Sequence, residues 1–277
     1  MADGHVTTSF FREAKKDGRM ITMLTAYDYQ MASLIEEAGI DAILVGDTLG
    51  NVVLGYSTTI PVTMDDMIHH IKAVTRGVSR AMVVGDMPFM SYHLSIEESL
   101  KNAGRILQEG GAQAVKLEGG REVTDVVHRM VAAGIPVMGH IGLTPQSVNQ
   151  IGGYKLQGKE EAAARKLLND ARALEEAGVF AIVLEMVPLQ LARIITGQLE
   201  VPTIGIGAGP HCSGQILVTN DMLGIYGGKK LKFVKQYANL NQDIIKALQS
   251  YCEEVRGGSF PASEHCFNMP EDVLTRL

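Results

Sequence analysis

The chain predicts a (β/α)8 TIM barrel with extra helical segments at its N- and C-terminal ends. Three observations carry that expectation. A phrase of amphipathic stretch, glycine and short apolar run recurs four times. Eight such apolar runs are spread along the sequence, and polar residues stand directly after most of them. A doubly wound open sheet shares the first two features and is the alternative.

The recurring phrase reads EEAGIDAILVGD at 36–47, QEGGAQAVKLEGG at 108–120, VAAGIPVMGHIG at 131–142 and EEAGVFAIVLEM at 175–186. Gly39, Gly110, Gly134 and Gly178 suit left-handed helix C-caps, which turn the chain sharply into the next strand. The candidate strands are 20–25, 41–46, 81–85, 114–118, 135–140, 180–185, 202–206 and 216–219. They are short and nearly continuously apolar, as strands buried on both faces are. Between them, Met31, Leu34, Ile35 and Ala38 keep helical spacing, as do Ala164, Leu167, Leu168, Ala171 and Leu174. Ser95 and Glu98 have the spacing of a capping box that opens another helix. The stretch 236–256 reads as a closing helix with a Gly-Gly-Ser tail. No Pro/Gly/Ser linker or composition shift divides 1–277, so a single catalytic barrel domain is expected.

Composition excludes several classes. The 277 residues carry 25 basic and 31 acidic side chains, a net charge of −6, with 46% hydrophobic and 20% charged residues. No basic block offers a phosphate-tracking stripe, so nucleic-acid binding is not expected. Met1 to Gly18 is polar and lacks the apolar core of a signal peptide. No apolar run approaches the roughly 18 residues that a membrane span needs. Cys212, Cys252 and Cys266 form no C-x-x-C pair and suit a reducing compartment, so a cytoplasmic protein is expected.

In either α/β fold, function sits at the carboxyl ends of the strands. Asp47, Asp86, Lys116 with Glu118, His140 and Glu185 stand there. Strand alternation puts Lys116 and Glu118 on one face, and Val115 and Leu117 on the helix-facing side. Taken singly each has a plain structural reading: an Asp that caps a helix, a Lys116/Glu118 ion pair at the rim, a satisfied histidine. Glu185 follows three aliphatic residues, where burying an acid without a purpose is costly. Converging from five strands, the set indicates an active site. Carboxylates without a Cys/His cluster specify hard oxygen ligation, which points to Mg²⁺ or Mn²⁺ rather than zinc. A neighbouring lysine supplies a point charge for a carboxylate or a developing enolate.

Residues 47–63 and 141–158 are long connections after strands and are expected to lie at the active mouth as lids. Two glycine motifs are set aside. Gly153 to Glu160 matches most of a P-loop but has Glu160 in place of the magnesium-binding hydroxyl, with no strand directly before it. Gly205, Gly207 and Gly209 have the wrong spacing for a dinucleotide fingerprint and read as a close-packed strand end.

Eight segments resemble the ketopantoate hydroxymethyltransferase family: TAYDYQMA (25–32), VGDTLGNVVLGYSTTIPVT (45–63), GDMPFMSY (85–92), VKLEGG (115–120), GHIGLTPQSVNQIGGYKLQG (139–158), VLEMVP (183–188), IGIGAG (204–209) and FPASEHCF (260–267). The resemblance implies a barrel of the phosphoenolpyruvate/pyruvate-binding superfamily. It also implies one-carbon transfer from 5,10-methylenetetrahydrofolate to 3-methyl-2-oxobutanoate, giving 2-dehydropantoate on the route to pantothenate and coenzyme A. By the same resemblance Asp47 and Asp86 are the magnesium ligands with Glu118 nearby. Asp47, Thr48, Asp86 and Lys116 contact the substrate, Lys116 also stabilises charge in catalysis, and Glu185 is the proton acceptor. A homo-oligomer, often a decamer, is implied as well. Thr48 departs from the serine usual there, adding a methyl that stiffens χ1. Lyases of the superfamily resemble this chain but carry a Lys-Cys-Gly-His motif, whereas its cysteines precede Ser213, Glu253 and Phe267. A barrel that only binds a folate or keto acid would have little use for a base at Glu185.

Overall fold

A computed structural model describes residues 4–226 and 231–277, so the first three residues of the polar N-terminal stretch lie outside it. By compactness the chain forms two units. One comprises residues up to Thr219 with 231–234, the other 220–226 and 235–277.

The first unit is the expected barrel. Strands β1 (Ile21–Thr25), β2 (Ala42–Val45), β3 (Met82–Asp86), β4 (Ala114–Glu118), β5 (Val137–Gly142), β6 (Ala181–Glu185), β7 (Thr203–Ile206) and β8 (Gly214–Leu217) close in sequence order. All pairs are parallel, and β8 returns to β1 with Ile21 opposite Gly214. Alternation divides each strand between two cores. Met23, Leu44, Val84, Met138, Val183 and Ile204 fill the barrel. Val45, Val83, Val115, Leu117, Ile182 and Leu184 meet the surrounding helices through Ile71, Ile106, Met130 and Leu174. Each fully buried aliphatic side chain contributes about 1.5–3 kcal/mol.

The amino-terminal helix, Thr8–Lys16, belongs to the inner core. Its Phe11 is fully buried, with its ring edge-on to Phe180 at a centroid distance of 5.1 Å. The Lys15 Nζ donates to the carbonyls of Thr196, Leu199 and Val201 at 2.9, 2.5 and 2.8 Å, binding the end of the helix Leu189–Gln198 and the turn after it.

Several local expectations shift. The eighth strand lies two residues earlier than 216–219, because Gly214 is a close-packing position: a Cβ there would lie 2.5 Å from the Ile21 carbonyl oxygen. The fifth extends to Gly142, two residues past its expected end. Gly39, Gly134 and Gly178 are left-handed, but the second phrase uses Gly111 (φ +81°) in place of Gly110. A Cβ on Gly110 would meet the Ile106 carbonyl at 2.4 Å, so that glycine is required by contact rather than by φ. In the helix Tyr29–Glu37, Ala32 and Ile35 are buried while Leu34 faces outward. Ser95 supplies only the hydroxyl half of its box, accepting from the Glu98 N–H at 3.1 Å. A complete box forms at Thr63 and Asp66. In the second unit the closing helix runs Leu240–Gly257, four residues later than expected.

The two mouth connections contain short helices, Leu49–Val52 in one and Val148–Ile151 in the other, the latter preceded by a 3-10 turn at Pro145–Ser147.

Candidate active site

Parallel strands in a closed barrel all point their carboxyl ends the same way, so residues at those ends must meet. Asp47, Thr48, Asp86, Lys116, Glu118, His140 and Glu185 line one cavity of about 50 Å³ at that end. Every candidate site residue is therefore gathered in one place. A larger cleft of about 410 Å³, lined by Arg121, Arg165, Lys166 and Asp170 among others, holds none of them. Two of its cations are paired, Lys166 with Asp170 at 2.5 Å and Arg165 with Glu161 at 2.7 Å.

The Lys116 Nζ lies 2.7 Å from Asp86 Oδ1, with both side chains almost wholly buried. The rim pair expected of Lys116 with Glu118 is not the close one. Burial disfavours the ammonium, but the Asp86, Glu118 and Asp47 carboxylates outweigh it and hold Lys116 charged, its pKa raised. Removing two charges from water costs several kcal/mol each, which a stability role alone seldom recovers. Asp86 Oδ2 accepts from the Asp47 backbone N–H at 3.0 Å. Asp86 thus uses one carboxylate oxygen on the Lys116 ammonium and the other on the Asp47 amide. Asp47 is also buried, and burial raises its carboxyl well above the ordinary range. Asp86 and Glu118 add to that rise, while Lys116 and Gln146 oppose it.

His140 stands between two acids. Its Nδ1 is 3.5 Å from Glu118 Oε1 and 3.4 Å from Lys116 Nζ, and its Nε2 is 3.1 Å from Glu185 Oε2. Burial and Lys116 favour neutral imidazole, yet Glu118 and Glu185 prevail and raise His140 to about 9. The strand-end histidine that sequence left open thus touches the proposed base. Glu185 is the most open of these acids: its side chain is 16% exposed, against 3–4% for Asp86 and Glu118.

Thr48 Oγ1 is hydrogen-bonded to the Tyr27 hydroxyl at 2.8 Å. Three polar residues escaped residue-type reasoning: Tyr27, Tyr92 and Gln146. Each is at most 5% exposed. They lie in segments quoted above, but they are off the strand ends, where the topology rule looks. The close-packed reading of the late glycines fits the structure: a Cβ on Gly205 would lie 3.0 Å from Cys212 Sγ, and one on Gly209 2.6 Å from Leu189 Cβ.

Among the described residues no three His, Cys, Asp or Glu side chains form a ready metal cage. Mg²⁺ does not require one, since it takes one or two carboxylates and completes its shell with water and ligand. The donor set fits on two grounds. Four carboxylates face two cationic groups in a buried space, and burial with the neighbouring Asp86 and Glu118 charges raises the Asp47 carboxyl, a repulsion that a divalent cation would relieve. Asp47 and Asp86 are adjacent and supply hard oxygens. Glu118 is less free, because its oxygens are engaged by the Gln146 N–H at 3.1 Å and by His140.

The family model for ketopantoate hydroxymethyltransferase matches residues 5–263. A 3-methyl-2-oxobutanoate hydroxymethyltransferase of Syntrophomonas wolfei is 61% identical over 272 residues, covering 98% of this chain and 99% of that protein. One of Syntrophus aciditrophicus is 61% identical over 262 residues, covering 95% and 96%. Among solved structures, a phosphonopyruvate hydrolase in complex with oxalate and Mg²⁺ shares the fold at 15% identity. Its TM-score is 0.59, over 93% of this chain and 92% of that one.

Proposed function

Because the chain belongs to the ketopantoate hydroxymethyltransferase family, we propose that it adds a hydroxymethyl group from 5,10-methylenetetrahydrofolate to 3-methyl-2-oxobutanoate. The product is 2-dehydropantoate, on the route to pantothenate and coenzyme A. The observation that carries this reading is the placement of a partly open acid, Glu185, across one cavity from the buried Lys116–Asp86 pair.

Mg²⁺ held by Asp47 and Asp86, with Glu118 acting through water, would polarise the 2-oxo acid and acidify its C3–H. Glu185 takes the C3 proton. His140, at 3.1 Å, orients the Glu185 carboxylate and stabilises its charge before the transfer. Lys116 remains protonated and offsets charge that develops on the substrate's oxygens as C3–H breaks. Thr48, fixed by Tyr27, donates or accepts at the substrate's edge. C3 then bonds to the folate-borne carbon, water supplies the hydroxyl oxygen, and tetrahydrofolate leaves. The chain works as one catalytic domain in the cytoplasm and assembles as a homo-oligomer, a decamer by family resemblance.

Proton NMR in D₂O of the protein with 3-methyl-2-oxobutanoate, methylenetetrahydrofolate and Mg²⁺ tests this directly. A hydroxymethyl signal that chelation abolishes supports the reaction. Loss of the C3–H signal without product keeps the proton chemistry and rejects the donor. Neither change, from folded protein, rejects the function.

A further inference from the structure

Two buried side chains in the mouth, Gln146 and Tyr92, have no role in the chemistry above. Gln146, in the turn after β5, reaches across the barrel: its Nε2 donates to Asp47 Oδ2 at 2.8 Å and to the Met87 carbonyl at 3.0 Å. Its Oε1 accepts from the Tyr92 hydroxyl at 2.8 Å. The Tyr92 oxygen in turn accepts from the Glu118 N–H at 3.2 Å, and the Gln146 N–H donates to Glu118 Oε2.

The directions of these bonds are forced. The Met87 carbonyl can only accept, so the Gln146 amide nitrogen faces it and Asp47, and the amide oxygen takes the Tyr92 proton. Burial raises the Tyr92 phenol well above its ordinary value, so that proton stays in place. The Glu118 amide can only donate, so the Tyr92 oxygen accepts there as well. Tyr92 is held in place by its own loop, where the left-handed Met90 (φ +66°) turns the chain and Asn102 donates to the Ser91 carbonyl at 2.7 Å. The ends of β2, β3, β4 and β5 are joined through one residue, Gln146, by its side chain and its backbone N–H.

We propose that Gln146 is the positioning residue that fixes the Asp47 carboxylate for cation and 2-oxo-acid binding, with the Met87 carbonyl setting the direction of its amide and Tyr92 holding the amide oxygen. The inference rests on the functional reading of Asp47 given above. An amide that donates to one carboxylate oxygen limits its rotation and leaves the other oxygen to a ligand. Outer partners of this kind commonly change metal affinity ten- to a hundredfold.

The test titrates Mn²⁺ alone into wild-type protein and the Gln146→Met and Tyr92→Phe variants, reading free Mn²⁺ by electron paramagnetic resonance. Thermal melts and steady-state kinetics accompany the titrations. Methionine fills the space of glutamine without donating, and phenylalanine keeps the ring while releasing the amide. The expected result is cooperative melting in all three, with Mn²⁺ affinity roughly ten- to a hundredfold lower in Gln146→Met and a smaller loss in Tyr92→Phe. In Gln146→Met, kcat falls and KM for the 2-oxo acid rises together. Wild-type Mn²⁺ affinity in folded Gln146→Met overturns the proposal, as does a wild-type protein that binds no Mn²⁺. If Gln146→Met fails to fold, Tyr92→Phe decides, and unchanged affinity there overturns it. Product formation is scored separately. A wild type that makes no product but shows the affinity pattern refutes the function and leaves the role of Gln146 standing. An active wild type with an unaffected Gln146→Met refutes only that role.

Discussion

Glu185→Gln isolates the proton-transfer step. The replacement keeps the shape of the side chain and an oxygen that can accept from His140 Nε2, now 3.1 Å from Glu185 Oε2. It removes the only function that an amide cannot supply, uptake of a proton. A positioned base contributes about 10²–10⁴ in rate. At about 1.4 kcal/mol per decade that is roughly 3–5 kcal/mol of lost transition-state stabilisation. Stability should change by only about 1 kcal/mol, since a neutral acceptor replaces a charged one at a partly open position. The decisive assay is exchange of the C3 proton in D₂O, followed by NMR with Mg²⁺ and 3-methyl-2-oxobutanoate but no folate. Exchange and product formation should fall together by two orders of magnitude or more, with the melting temperature nearly unchanged. Exchange at the wild-type rate would refute Glu185 as the base, whatever happens to turnover.

The same variant should lower the pKa of His140, because one of the two carboxylates that raise it is gone; NMR titration of the ring, assigned with His140→Gln, checks this. In wild type the folded value near 9 lies above the ordinary 6.5. The stabilisation from His140 is therefore complete below 6.5 and disappears as pH rises through about 9, so melting temperature should decline across that window and decline less in His140→Gln. Exhaustive chelation should abolish turnover and leave the far-ultraviolet spectrum unchanged, because the barrel core is apolar and uses no cation; Mg²⁺ or Mn²⁺ should restore activity. Gly214→Ala should destabilise by about 1–3 kcal/mol, since its Cβ would press on the Ile21 carbonyl at the β1–β8 seam, and a denaturant midpoint measures it.

Much of this arrangement was legible because barrel strands leave strong local marks. Val115 and Leu117 alternate with Lys116 and Glu118, so the two faces of β4 are separable by eye, and the structure divides them that way. Asp86 and Glu185 end apolar runs, which locates them at the mouth. Other features depend on distant partners. Gly214 falls outside the expected strand 216–219, and its need shows only in the Ile21 carbonyl beside it. Lys116 looks paired with Glu118, two residues away on its own strand, but β3 brings Asp86 closer. Gln146 sits in an irregular segment, and its meaning comes only from Asp47, 99 residues away. The complete box at Thr63 was hidden because Asp66 stands where Glu or Gln is the usual signal.

The lysine that binds the turn after the helix Leu189–Gln198 also imposes an order on the birth of the protein. Lys15 leaves the ribosome 186 residues ahead of its acceptor at Val201. At 5–20 residues per second, about 10–40 s pass before that acceptor exists. Phe11 likewise waits for Phe180, and β1 waits for β8. During that interval the partners that bury Phe11 and pair with β1 are missing. The barrel therefore cannot be completed piece by piece as it emerges. The β1–β8 seam closes only after the seven preceding strands have been made.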